Sequence, residues 1–582
     1  MQRHLYILFL FAFLIGADGT RAQDVTPTPT PTPTPVVTDK QNVVPEDLKG
    51  VPSIAPDYLS SDRSLPDLGR VGVDMTQQRT LTLRDAIELA LDNNRDIEVS
   101  RKTVGMSEFD LQSARGIFQP RLSGQLYYDR STVPNVSIFS NNQETTQGSL
   151  VGNTSLQAFV PNYGTVFTGA FNNQRVTTDN PISILSPQYN SSLSFSATQP
   201  LFRGRKFDQS RRSIEIAKRN ISLTDTQFRQ RSIETVAGVQ RAYWDLTFAL
   251  RNLQVQREGV RDAKTQLDHN KRLVDEGQLA PIDIVAAETQ VANFEQAVYD
   301  ALNVVNQAEN TLKNLLSPNR TDAIWSQALT PVEPVDVTVP DSTYSEAMTL
   351  ALDNRPELEV NKTQKDINAI DQRLYENQKK PQIDLVASYG TSGIGGTQNP
   401  NFSPSFPTPC TTSPSSPACV QQQANLALLT GSQFSGLLLN RYPVFRVGVN
   451  FNLPLFGDKT AAAQLGRSKV EAERIDTLRE QLEQGIQVDV RNALQAIRSG
   501  EARLRAAAIS RENTTKQYES EQRKLDAGQS DVYKVLERQT ALTVAKSNEL
   551  RARTDLNKAI ADLQRATGNT LKANNVEPKL KK

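Results

Sequence analysis

Apolar residues recur along this chain at two periods, and the alternation between them marks out its parts. Val236, Val239, Tyr243, Leu246, Leu250, Leu253, Val260, Leu267 and Val274 follow a three-four spacing on one seam, interrupted by Arg257, Lys264 and Lys271. No Pro occurs from Gln209 to Glu276. A second stretch, Ile475, Leu478, Leu482, Ile486, Val490, Ala493 and Ile497, has the same spacing. This pattern predicts amphipathic helices. At 1.5 Å per residue the first would be roughly 100 Å long. Such a helix cannot hide in one globular core, so coiled-coil packing against neighbours is expected; a soluble coiled-coil rod fits equally.

Other segments alternate with a period of two. Leu122, Gly124, Leu126 and Tyr128 alternate with Arg121, Ser123, Gln125 and Tyr127. Ile383, Leu385, Ala387 and Tyr389 do the same, as do Leu193, Phe195 and Ala197 and the run Phe445, Val447, Val449, Phe451 and Leu453. Strands with one apolar and one polar face fit a barrel with lipid outside and water inside. A half-buried soluble sheet gives the same alternation.

The two periods occur twice, in the same order. Ala90-Leu91-Asp92-Asn93 recurs as Ala351-Leu352-Asp353-Asn354, and Ile97-Glu98-Val99 matches Leu358-Glu359-Val360 in the same register. Pro200-Leu201-Phe202 recurs as Pro454-Leu455-Phe456, Gly277-Gln278 as Gly528-Gln529, and Leu312 as Leu563. A period of about 250 to 260 residues is too long for a solenoid unit, so two copies of one module make up most of the chain. Each copy reads as helix, strands, long helix, sharp turn and return helix. First helices are predicted over Leu83 to Ile117 and Tyr344 to Lys379, and the return helices run to about Leu316 and Arg565. Each long helix ends at a Gly, which permits the left-handed stop conformation. Pro281 suits the first turn that follows; in the second copy Ser530 is expected to cap, with Asp531 in the first turn.

These boundaries divide the chain into six parts. Residues 1–22 read as a signal peptide: Arg3 and His4, an apolar run from Leu5 to Ile15, then Thr20-Arg21-Ala22 at the cleavage position. Residues 23–80 hold a Thr-Pro tract and an arm rich in Pro, Asp and Ser, expected to stay irregular until near Leu81. The first repeat covers 81–316, a connector 317–341, the second repeat 342–567 and a tail 568–582. No other segment approaches the roughly 20 apolar residues of a membrane helix.

Composition narrows the chemistry. Among 582 residues, 65 Lys and Arg balance 64 Asp and Glu, which gives no electrostatic reason for a nucleic-acid partner. The two His are His4 and His269, and the two Cys are Cys410 and Cys419. One mature His and two Cys fall short of a four-ligand zinc site, and no nucleophile motif surrounds His269. No catalytic residue, metal or cofactor is expected, and the chain reads as a non-enzyme.

The ordered set of landmarks resembles the TolC outer-membrane efflux protein family over about residues 80 to 568. The resemblance rests on the twofold repeat, the Ala-Leu-Asp-Asn helix starts, the Gln199-Pro200-Leu201-Phe202 and Leu453-Pro454-Leu455-Phe456 strand ends, and the Gly277-Gln278 and Gly528-Gln529 hairpin tips. It implies a mixed, mainly α fold: a long coiled-coil helical barrel continued into a membrane β-barrel, internally duplicated and trimeric. Residues Ser317 to Asp341 would join a mixed region at the waist. The implied function is export through a homotrimeric channel in outer-membrane lipid, spanning into the periplasm and served by a periplasmic adaptor and an inner-membrane transporter. In the family the hairpin tips close the periplasmic end, often with acidic rings. Asp283 holds that place in the first copy; the second has Asp531, Lys534 and Glu537, with lysine where TolC has a gate aspartate. Lys534 is within helical reach of Glu537 or Asp531. Ordinary solvated tip charges give the same pattern.

Two departures from the family follow. No Cys succeeds the apolar N-terminal run, so the lipid-anchor site of lipidated members is absent. Leu156, Ala158 and Val160, then Pro161-Asn162-Tyr163-Gly164, Val166, Phe167 and Phe171, read as an added β-hairpin over about 153–175. It would either enter the barrel beyond the family's usual four strands per subunit or fold outside it. On the family topology Thr391 to Asn440 faces the exterior, where Cys410 and Cys419 would form a disulfide or remain two thiols. The competing reading is a soluble periplasmic coiled-coil adaptor, which explains the helices but not the amphipathic strands.

Overall fold

The computed structural model describes residues 69–134, 143–334, 339–403, 408–454 and 457–579. The expected signal peptide and the Thr-Pro tract lie outside these. In chain order, β1 (Asp74–Leu81) leads to α1 (Leu83–Asn93) and α2 (Arg95–Arg115). Then come β2 (Arg121–Pro134), β3 (Glu144–Val160), β4 (Thr165–Thr178) and β5 (Leu185–Pro200). A helical hairpin follows, α3 (Gln209–Asp275) and α4 (Ile282–Leu316), and then β6 (Gln327–Pro331). The second copy has α5 (Tyr344–Asn354), α6 (Pro356–Gln378) and β7 (Gln382–Gln398). It continues with α7 (Pro409–Thr412), α8 (Pro417–Leu429), α9 (Gln433–Leu438) and β8 (Tyr442–Asn452). Its hairpin is α10 (Lys459–Asp526) with α11 (Val532–Ala566), and α12 (Thr570–Ala573) follows. No described helix is long and apolar enough to cross a membrane.

The single first helix expected in each copy is instead two. The breaks fall at Asn94 and Arg355, both with extended backbone. Pro356 disfavours helical geometry at Arg355 and then opens α6. At the other break the Asn94 side chain accepts from the backbone N–H groups of Asp96 and Ile97 and starts α2. Both break residues reach back to a return helix. Asn94 Nδ2 donates to the Leu315 carbonyl at 3.0 Å, and Arg355 Nε to the Ala566 carbonyl at 2.8 Å.

The N-terminal arm also differs from expectation. It ends in β1, which pairs in parallel with β6. The largest core lies against this pair: Ala86, Ile87, Ala90 and Leu91 of α1 meet Val236, Val239, Tyr243 and Leu246 of α3, Leu312 and Leu316 of α4, and Leu329. The second copy repeats it more sparsely with Ala347, Ala351, Ile486, Val490, Leu556 and Leu563. The Tyr243 hydroxyl donates to the Leu81 carbonyl at 3.0 Å, and burial pushes its pKa up to about 12.

A buried ionic cluster ties α4 to the waist. Glu309 and Lys313 have fully buried side chains. Glu309 Oε1 takes the Arg70 guanidinium at 3.0 Å, the Leu329 N–H at 2.8 Å and the Lys313 ammonium at 3.5 Å. Lys313 also donates to the Trp325 carbonyl at 3.1 Å; burial lowers its pKa, opposed by the charge of Glu309.

Towards the hairpin tip the buried seam of α3 leaves the expected row. Gly259, Ala263, Gln266 and Asn270 are buried, one to four residues off Val260, Leu267 and Val274. A straight helix drifts by about 20° per heptad against a strict seven-residue repeat, so contact passes to the adjacent row. Gly259 is filled by Phe294 of α4, whose ring carbons would stand 3.1 Å from an added Cβ.

Candidate functional site: the sheet faces and the hairpin tips

Six strands form one antiparallel sheet in the order β2-β3-β4-β5-β7-β8. The added hairpin is therefore part of the sheet, with β3 and β4 between β2 and β5. Register fixes two chemically distinct faces. Leu122, Leu156, Gly169, Phe195, Tyr389 and Phe445 line up across one face. In the next row below, Ala158, Phe167, Ala197, Ala387 and Val447 do the same. The opposite face carries Gln125, Asn153, Asn172, Ser192, Ser392 and Tyr442 in one row, and Arg121, Gln157, Thr168, Ser196, Ser388 and Arg446 in another. Such a division suits lipid on one side and water on the other.

The outer strands β2 and β8 have every residue exposed. They run in opposite directions, because six antiparallel strands separate them by an odd number of reversals. Within the chain the two copies meet along the sheet, between α3 and α6, and again where α11 and its tip pack on α3 and α4. β5 pairs with β7, and α3 packs on α6 through Arg212–Asp371 at 2.5 Å, Arg219–Asp366 at 3.3 Å and Arg373–Glu215. Under the repeat register the counterparts of those partners are β8 with β2 and α10 with α2, and these are the open sides of the chain. Exposed Val99, Met106 and Phe109 on α2 and Val470 on α10 lie there.

Both tips turn on glycine in the left-handed region, Gly277 at φ 74° and Gly528 at φ 70°. Gln278 and Gln529 donate their backbone N–H groups to the Leu273 and Lys524 carbonyls, closing each helix end. The second tip is capped by Asp531, not Ser530: Asp531 Oδ1 accepts from the Lys534 N–H at 2.9 Å, while the Ser530 hydroxyl turns to Glu521. Asp531 also takes the Lys534 ammonium at 3.1 Å. The Lys534 N–H and then its ammonium hold the Asp531 carboxyl below the usual carboxylate range. Glu537 stands exposed one turn on, and Asp283 accepts from the Ala280 N–H at 3.2 Å. The two tips touch one another. Leu279 packs on Leu525, Val532, Val535 and Leu536, and His269 Nε2 lies 3.2 Å from Asp526. No local pattern in the sequence points to this contact, since the partner of His269 is 257 positions away. Ile282, Val285 and Tyr533 remain exposed beside the turns.

Beyond β7 the predicted loop contains three helices, and Cys410 and Cys419 are joined by a disulfide across α7 and α8.

The sequence profile described as outer membrane efflux protein matches residues 86–317 and 347–569. No curated protein sequence matches significantly. Among solved structures, the CmeC outer membrane channel of Campylobacter jejuni is similar at 13% identity and TM-score 0.58, covering 84% of this chain and 86% of that one. The open-state MtrE outer membrane channel of Neisseria gonorrhoeae is similar at 16% identity and TM-score 0.56, covering 88% and 95%. The outer membrane protein VceC of Vibrio cholerae is similar at 12% identity and TM-score 0.55, covering 84% and 96%. These likenesses carry the fold, and the profile matches both copies in the order that the duplication requires. The chain belongs to the outer membrane efflux protein family and is an outer-membrane channel component of an efflux system.

Proposed function

We propose that three copies close side by side into one tube, with β8 of each pairing antiparallel to β2 of the next and α10 packing on the neighbouring α2. One observation carries this reading: each open side of the chain is the pseudo-equivalent of a contact the chain already makes internally. Six strands from each of three copies give a barrel of 18, against 12 for the family's usual four. The apolar face meets lipid, and the polar face lines a water-filled lumen through which cargo leaves.

The hairpin tips form the entrance of this tube and its gate. Asp283, Asp531, Lys534 and Glu537 supply four rings of three charges, in which Asp531 neutralises Lys534 and leaves Glu537 and Asp283 to set the sign. Exposed Ile282, Val285 and Tyr533 offer an apolar rim to a periplasmic adaptor that links the tube to an inner-membrane transporter.

Planar-bilayer recording tests both parts. Purified protein is expected to conduct, and Lys534→Asp to shift the reversal potential in a KCl gradient towards that of K⁺. Absence of current from protein shown to be inserted sinks the channel reading. Current with unchanged selectivity sinks the tip gate alone.

A further inference from the structure

The helix α9 lies on the apolar face of the sheet. Gly393 shares that face with Tyr389, four residues before it on β7, and an added Cβ on Gly393 would collide with the Gln433 carbonyl of α9. A Cβ on Gly395 would collide with the Gly431 carbonyl, and one on Gly436 would stand 3.2 Å from the Gly393 Cα. After the helix, Asn440 Nδ2 donates to the Tyr389 hydroxyl at 2.6 Å. The two strand glycines thus admit the backbone of α9 directly onto β7.

Directly beside β7 the sheet lacks the aliphatic side chains that lipid would favour. In the row of Gly393 the apolar face carries Leu126, Gly152, Asn173 and Ser191; in the row of Gly395 it carries Tyr128, Leu150, Arg175 and Tyr189. Towards β7 the face is therefore small and polar, and Ser191 is buried there. From Ile383, in the lowest apolar row on β7, to Gly393 is ten residues, or about 25 Å along the membrane normal at a 40° tilt, the usual height of a barrel's apolar band. α9 therefore sits at the upper limit of that band, level with the first aromatic residues of an interface girdle.

Its outward side is apolar. Gln433, Gly436 and Leu437 turn to β7, whereas Phe434 and Leu438 share the opposite arc and Leu439 follows at the end. Leu438 is 82% exposed and Leu439 69%. We propose that α9 is a lipid-contacting clasp: it covers the polar patch at Asn173, Ser191, Gly393 and Gly395 and presents Phe434, Leu438 and Leu439 to acyl chains at the outer edge of the bilayer. From Tyr389 and Phe445 the apolar face passes by Leu193, Thr391 and Pro443 to the helix, and that continuity selects lipid as the occupant. The proposal rests on the sheet being the membrane segment.

Single tryptophans at Leu438, Phe445 and Ser388 read the contact directly, in phosphatidylcholine vesicles brominated at acyl carbons 6 and 7. Native Trp244 and Trp325 belong to the helical part, and their signal is subtracted using the wild-type protein. Leu438→Trp and Phe445→Trp are each expected to lose roughly half their emission or more, and Ser388→Trp on the polar face little. Adding Gly393→Val should eject α9, restoring the Leu438→Trp emission while Phe445→Trp stays quenched. Quenching of Phe445→Trp without Leu438→Trp overturns the clasp. Failure of both overturns the membrane sheet itself.

Discussion

Phe109 offers the sharpest test of the closed tube. The register that sets Ala90 on Ala351 sets Phe109 on Ile370. Ile370 is buried with Phe207 and Leu374 where α6 meets α3, whereas Phe109 is 72% exposed. If α10 of a neighbour covers α2 as α3 covers α6, Phe109 loses that exposure on assembly. A Phe side chain presents roughly 200 Å², so about 140 Å² would leave water, equivalent to about 3.5 kcal/mol at 25 cal/mol per Å². Alanine keeps the Cβ, so Phe109→Ala should weaken each interface by about 3 kcal/mol, and a ring of three interfaces by about 9 kcal/mol. Sedimentation velocity in detergent over a dilution series measures this. The variant trimer should dissociate at far higher protein concentration than wild type. Ile370→Ala serves as the control: it damages the same kind of contact inside one chain, so it should lower the unfolding temperature without changing the concentration dependence. A Phe109→Ala trimer that persists to the wild-type dilution limit refutes the equivalence of the two interfaces.

Three further outcomes follow from named contacts. Glu309→Leu leaves Arg70 and Lys313 buried without a counter-charge and the Leu329 N–H without its acceptor; a loss of about 3–5 kcal/mol is expected in thermal unfolding, and an unchanged midpoint would remove the waist cluster from the account. Joint replacement of Cys410 and Cys419 by Ser should release about 2.5 kcal/mol of loop constraint. That would appear as faster proteolytic cutting between residues 408 and 441 with the sheet left intact, and equal cutting rates would count against it. Excising β3 and β4 leaves β2 free to pair antiparallel with β5, giving four strands per copy. The largest neutral polymer that enters from the sheet side in bilayer recordings should then fall, and an unchanged cut-off would show that the added hairpin does not set the bore.

The parts legible in the sequence were those whose signals are local. Gly277-Gln278 and Gly528-Gln529 mark the tips because a left-handed turn needs glycine, and the faces of the strands follow from side-chain alternation. The breaks at Arg355 and Asn94 escape that pattern: Pro356 signals the first, but the continuous apolar spacing on either side conceals it, and Asn94, lacking a proline, has only its capping chemistry to show. What escaped depends on partners far away in sequence. The strand Asp74–Leu81 is polar and lacks alternation, and it exists through pairing with residues 250 positions on. Glu309 and Lys313 stand four apart, as a solvated helix pair would, and only the fold reveals that both are buried. At the tips helical spacing puts both Asp531 and Glu537 within reach of Lys534, and the choice of Asp531 follows from the cap, whose carboxylate already faces that turn. The helix α9 sits in a segment rich in Ser, Gly and Gln, where the glycines of β7 signal close approach without naming what approaches.

The added hairpin bears on how the two halves of the tube fit together. Four helices of each chain lie side by side at every height. Near the sheet they are α2, α3, α6 and α10; near the tips, α3, α4, α10 and α11. Three chains then make a ring of twelve, and at 8–10 Å between axes its circumference is about 95–120 Å. A barrel of 12 strands, spaced 4.8 Å and tilted about 40°, has a circumference of about 75 Å, so the wall must narrow where helix gives way to strand. With 18 strands the figure is about 110 Å, within the range of the helical ring. In the proposed trimer the hairpin β3–β4 would therefore remove the step in width at the membrane. Resistance to flow would then concentrate at the opposite end, where the helical hairpins turn and Asp283, Asp531, Lys534 and Glu537 lie. Under the proposed closure the barrel would set no barrier of its own, and control of passage would fall to the tips.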